Sequence, residues 1–174
     1  MSLRQILTEP NKILREKSLF VEKVDEDLQK LIDDMLETMY AAPGIGLAAI
    51  QVGIPKRIIV LDIASKDGPR NPMFFINPEI IEKSGNYLTY EEGCLSVPGQ
   101  FAEIDRPNKC HIKYLDYYGL PKEIKAEGML ATCIQHEIDH LDGILFIDYL
   151  SKLKKSMIVK KLSKQKKAIE RIVV

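Results

Sequence analysis

The chain has 174 residues, 45% hydrophobic and 29% charged, with 25 Lys or Arg against 25 Asp or Glu. This composition is ordinary for a globular protein, and a chain of this length buries roughly 70% of its unfolded surface without disulfide staples. No apolar run approaches the ~20 residues of a membrane span. Met1 to Lys17 mixes charged with apolar residues and lacks a signal-peptide core, so no membrane partner is expected. The three cysteines, Cys94, Cys110 and Cys133, suit a reducing cytoplasm in which thiols are free to bind metal. The zero net charge hides an asymmetry: Ser151 to Val174 holds nine basic residues and one acidic, a local +8 that leaves −8 on the remainder. Such a tail points to a polyanionic partner for the tail alone.

In chain order, Val24 to Ala42 reads as a helix. Val24, Leu28, Leu31, Ile32, Met35, Leu36 and Met39 recur at helical spacing, Asp25 caps the start, and Pro43 and Gly44 stop it. Arg57 to Ile63 is a buried strand, followed by a polar loop from Ser65 to Pro72. Short strands are expected over 73–77, 79–83, 87–90, 101–104, 109–116 and 122–126, with Gly and Pro between them. Such spacing favours antiparallel sheets over alternating strand-helix units. A second helix spans Gly128 to Asp142 and ends at Gly143. Leu145 to Leu150 is a strand or turn, and Ser151 caps a final basic helix to about Arg171. Leu153, Met157, Ile158 and Leu162 trace an apolar stripe that docks the first half of this helix, and deletion from about Lys160 onward is expected to leave turnover on a free peptide nearly unchanged. The expected fold class is α+β, with antiparallel β-sheets packed around a central helix, an N-terminal helix and a basic C-terminal helix. No repeat or linker divides residues 1–174, so they are expected to form one domain, with 151–171 as its tail helix.

The second helix carries the chemistry. Two of the three histidines, His136 and His140, lie four apart and therefore share one helix face, where both imidazoles can reach one metal ion. Glu137 is turned about 100° from His136, placed to touch a metal-associated water without displacing it. Two neutral nitrogen ligands and a general base make a metallohydrolase arrangement. The plainer alternative is two surface histidines on an amphipathic helix.

A catalytic site of this kind usually takes three protein ligands and keeps one position open. A third histidine six residues beyond His140 would fit one familiar pattern, but Phe146 stands there. The only downstream glutamate, Glu170, lies in the tail. Asp142 and Asp148 remain without a supporting pattern. Cys133 faces His136, yet it is seven residues from His140, about 10 Å of rise. Cys110 alternates with Ile112 and Tyr114 as a buried small residue of a strand. Cys94 sits between Gly93 and Pro98, where the chain turns and can present a side chain and backbone amides. A closed structural metal site and a peptidase using both histidines with an acid are the rival readings.

Three segments resemble, in order, the motifs of peptide deformylases: 44–51 (GIGLAAIQ), 92–96 (EGCLS) and 135–140 (QHEIDH). The first also fits a dinucleotide fingerprint, but a helix precedes its glycines and Pro55 leaves no room for a following helix. Its small residues instead let backbone approach a substrate edge-on, while Gln51 supplies an amide donor. The resemblance covers nearly the whole chain and implies one divalent metal held by Cys94, His136 and His140. It further implies Fe2+ in the cell, with Zn2+, Ni2+ or Co2+ possible in purified protein.

The resemblance implies removal of the formyl group from the N-terminal formylmethionine of newly made polypeptides. In that reaction Glu137 moves the proton, while Gln51 and the Leu95 N–H stabilise the oxyanion. Ile45, Tyr90, Met129 and Cys133 are implied to wall the methionine pocket. Backbone near Gly46 and Gly99 would pair the peptide like an added strand. Glu92 and Arg106 match a charged pair behind the cysteine loop. Phe101 departs from the familiar bacterial pattern, which has arginine there. The basic tail is expected to bind the ribosome, through rRNA or tunnel-exit proteins, in the cytoplasm.

Overall fold

The structure, a computed structural model, describes residues 2–64 and 67–172. Ser65 and Lys66, the first two positions of the expected polar loop, lie outside the described residues. Three helices and seven strands are present among the described residues: α1 Glu26–Ala41, β1 Gly46–Ala48, β2 Ile58–Leu61, β3 Met73–Lys83, β4 Tyr87–Cys94, β5 Val97–Pro107, β6 Lys109–Leu115, β7 Pro121–Glu127, α2 Gly128–Leu141 and α3 Lys152–Ile172. The class is α+β, as the short strands and periodic helices imply.

Helix α1 begins where Asp25 accepts the Leu28 N–H at 3.0 Å. Glu26 and Asp27 in its first turn complement the positive end of the helix dipole. Its buried stripe of Leu28, Leu31, Ile32, Met35 and Met39 packs on one face of an antiparallel sheet ordered β1-β2-β3-β6-β7. The opposite face carries α2. Strand β2 shows why its sequence is apolar throughout: Ile58 and Val60 face α1, while Ile59 and Leu61 face the α2 side. Helix α2 is therefore buried around most of its circumference, with Ala131, Ile134, Ile138 and Leu141 against Ile59, Leu61, Phe75 and Ile112.

The hairpin β4-β5 forms a second, two-stranded sheet. Val97 and Ile104 of β5 close a small core with Leu145, Phe146, Ile147 and Leu162.

Two expectations need correction. The pieces 73–77 and 79–83 are one strand, β3, whose register with β6 shifts between Ile76 and Glu79. Asn77 adopts φ 51° just before Pro78 and pairs through its side chain with both backbone groups of Val21. The bulge absorbs the proline that had suggested a break. Of the strand or turn expected over 145–150, the structure has the turn, a 3-10 turn Phe146–Tyr149. On α3 the docked stripe is Ile158, Val159 and Leu162, whereas Leu153 and Met157 are exposed. Leu162 is buried, so the helix is anchored beyond Lys160.

Candidate active site

The hairpin, α2 and the segment after α1 converge on one cleft of about 500 Å³. The β4-β5 turn delivers Cys94, at a register shift between Gly93 and its neighbour that turns the thiol toward α2. From α2 come His136 and His140, one turn apart, with ring centroids 5.0 Å apart and edge-on. One donor atom from each of Cys94, His136 and His140 lies within 4.8 Å of the others, and Cys94 Sγ is 3.2 Å from His140 Nε2. Among the described residues this is the one such cluster. Asp142 instead pairs with Arg57 at 2.8 Å, and Asp148 with Arg15 at 2.6 Å and Lys155 at 2.7 Å. Cys133 lines the cleft outside the donor cluster.

The donors fit a cation by chemistry as well as by position. Burial opposes ionisation of Glu92, yet His136 and Arg106 hold its carboxyl below the ordinary value. The ionised Glu92 accepts from His136 Nδ1 at 2.8 Å. That contact fixes the tautomer and leaves Nε2 as the free donor. Burial also works against charge on His136, but Cys94 and Glu92 outweigh it and raise that ring well above its usual value. His140, fully buried and beside His136, is pushed well below. A cysteine sulfur with two imidazole nitrogens is a donor set that suits Fe, Zn, Ni or Co.

Glu92 is itself held by Arg106, whose Nε and Nη2 reach its two oxygens at 2.5 and 3.0 Å. Arg106 Nη1 extends to Asp139 at 2.8 Å, which also accepts from the Tyr149 hydroxyl at 2.7 Å. The Glu92–Arg106 pair was legible in the sequence. Asp139 and Tyr149 were missed; the only signal was an acid three residues after His136, while nothing marked Tyr149.

Glu137 leaves α2 on the cleft side. Burial pushes its carboxyl up to about 7, despite the neighbouring His136, and its Oε2 has no hydrogen-bond partner. Across from it, a Cβ at Gly46 of β1 would overlap Glu137 Oε1, so glycine there is a matter of close approach. Gln51, on a 3-10 turn Ala49–Val52, is buried with Nε2 at 3.5 Å from Cys94 Sγ and 3.0 Å from Ser96 Oγ. Leu95 lies in the β4-β5 turn at the cleft wall. Ile45, Gly46, Tyr90, Gly99, Met129 and Cys133 all line the cleft, as do Gln51, Glu92 and Glu137. Burial, reinforced by Glu137, pushes the Cys133 thiol up to about 12, so it stays protonated and acts as a small apolar wall. Phe101 also lines the cleft, its ring lying over Gly93, where a Cβ would come within 2.5 Å of it.

The sequence model of the polypeptide deformylase family matches residues 3–156. The chain belongs to that family. The peptide deformylase of Pelagibacter ubique is 64% identical over 166 residues, covering 95% of this chain and 96% of that relative. That of Maricaulis maris is 57% identical over 171 residues, with 98% of each covered. The crystal structure of the Ehrlichia chaffeensis peptide deformylase in complex with actinonin superposes with a TM-score of 0.91 at 47% identity. It covers 95% of this chain and 98% of its own. The matched residues run from ahead of α1 to the first turn of α3, so the cleft lies wholly within them.

Proposed function

We propose that the protein hydrolyses the formamide at the N-terminal formylmethionine of newly made polypeptides, releasing formate and a free amine. The observation that carries this is Glu137, buried and partnerless at Oε2, facing the cleft beside the Cys94-His136-His140 cluster in a member of the deformylase family. Those three residues would hold the metal, and Fe2+ is the ion proposed for the cell. When bound, a divalent ion supplies Lewis acidity and makes water acidic enough to act as a nucleophile near neutral pH.

The chain's own residues supply the rest. Glu137 takes the proton of the attacking water and returns it to the leaving amine; a carboxyl raised to about 7 can serve in both directions near neutrality. Gln51 Nε2 and the Leu95 N–H donate to the oxygen that becomes negative, where removal of one donor typically costs on the order of 10²–10³ in rate. Ile45, Tyr90, Met129 and Cys133 receive the methionine side chain, and backbone at Gly46 and Gly99 pairs the peptide. Glu92 and Arg106 keep His136 in its ligating tautomer.

Residues 1–174 are read as one catalytic domain, and the nine basic residues after Ser151 as a ribosome contact, in the cytoplasm. No described helix is long and apolar enough to cross a membrane. Formate release from a formyl-Met peptide by anaerobically prepared protein tests the activity; no formate from metal-loaded protein overturns it.

A further inference from the structure

We infer that Ser96 is a positioning residue for this reaction: its hydroxyl orients the Gln51 side-chain amide, so that one amide N–H is left to face the reacting oxygen. The inference rests on the deformylase reading above. It starts from the two ends of that amide. Gln51 Oε1 accepts the Ala48 N–H at 2.9 Å, which decides which corner of the carboxamide is oxygen. Nε2 then donates to Ser96 Oγ at 3.0 Å and lies 3.5 Å from Cys94 Sγ. A primary amide has two N–H bonds. With one tied to Ser96, the other donates to Cys94 Sγ, 3.5 Å away on the cleft wall, a weak contact it can exchange for the reacting oxygen. The last torsion of a glutamine is broad and has no steep staggered wells. Without Ser96 Oγ, only the Ala48 contact and a weak sulfur contact would hold the amide plane.

Ser96 is well built for this task. It is fully buried, its C=O accepts the Glu9 N–H at 2.8 Å, and its own N–H donates to Cys94 Sγ at 3.4 Å. One residue therefore joins the thiol through its main chain to the oxyanion donor through its side chain. Truncating the hydroxyl separates the two: Ser96→Ala keeps the main-chain contact to Cys94 and loses only the contact to Gln51.

The test is a double-mutant cycle of Ser96→Ala and Gln51→Ala, reading kcat, KM, metal content and Tm on anaerobically prepared protein. Formate release by the unaltered chain comes first; its absence defeats the deformylase reading itself. Given that activity, Ser96→Ala is expected to keep full metal content and an unchanged KM while kcat falls about tenfold, a misplaced donor costing less than a deleted one. In the Gln51→Ala background the same change should cost less than twofold, because the group it positions is gone. Wild-type kcat in Ser96→Ala, loss of its metal, or a full additive loss in the double variant overturns the inference. Ser96→Cys, a weaker acceptor at the same place, should give an intermediate kcat, and a kcat no higher than that of Ser96→Ala also overturns it.

Discussion

Replacing Glu137 by glutamine changes one oxygen for an NH2 and leaves the shape of the side chain intact. The donor cluster does not include Glu137, so Glu137→Gln should load metal to the same stoichiometry as the parent. Activity should nonetheless collapse, because no neighbouring acid is placed to substitute. Glu92 is committed to Arg106 at 2.5 Å and to His136 at 2.8 Å, and Asp139 to Arg106 at 2.8 Å and Tyr149 at 2.7 Å. Loss of general base catalysis is worth roughly 10²–10⁴ in rate, or about 3–5 kcal/mol of barrier. The absence of a stand-in carboxylate argues for the upper end of that range. Formate release measured beside metal analysis on the same preparation separates the two effects. A metal-loaded Glu137→Gln protein turning over within tenfold of the parent would refute the assignment of Glu137 as base.

Cys94→Ala should lose both metal and activity, whereas Cys133→Ala should retain metal, since only the Cys94 thiol lies in the donor cluster; metal content of the two purified variants decides it. Removing residues from 164 onward should leave turnover on a free formyl peptide unchanged and weaken ribosome cosedimentation at low salt, with a shallower salt dependence than the parent. Removing residues from 160 onward also deletes the buried Leu162, at a cost of about 1.5–3 kcal/mol, so its Tm should fall while that of the shorter truncation does not. Near the N-terminus, the Ser2 N–H at 2.8 Å, working against burial and helped by Arg4 at 3.0 Å, holds the Asp34 carboxyl below its ordinary 3.8. A depressed folded value means that this stability is present above about pH 4 and is lost as pH falls through the folded value. Asp34→Asn should therefore lower Tm at neutral pH, and the gap to the parent should close in acid; a gap independent of pH would contradict the linkage.

The helices were legible because their apolar residues recur at helical spacing and their ends carry local signals. Asp25, Pro43 and Gly143 act through contacts within a few residues, and sequence records such contacts directly. The strands were legible as pieces but not as pairings. Pro78 looked like a break because its tolerance depends on Asn77 holding Val21, 56 positions away in the chain. Strand β1 was read as a place of close backbone approach, which it is, but its pairing with β2 depends on a partner that lies beyond a 3-10 turn.

The candidate site divides along the same line. His136, Glu137 and His140 sit within one helix turn or so, and their spacing alone brings them to one face. Helical reach told against Cys133 and strand alternation against Cys110, which favoured Cys94, but its turn context alone did not establish it as the third ligand. The motifs resembling a known family made that choice, and the geometry agrees with it. What no local pattern carried is the support behind the ligands. Arg106 reaches Asp139 across 33 positions, and Gln51 reaches Ser96 across 45. Each is a polar group buried beside others, where an unpaired partner would cost about 1–3 kcal/mol. The fold must therefore satisfy them through distant contacts. The cleft's specificity for its chemistry resides as much in these long-range bonds, which fix a tautomer at His136 and an amide plane at Gln51, as in the three donors they surround.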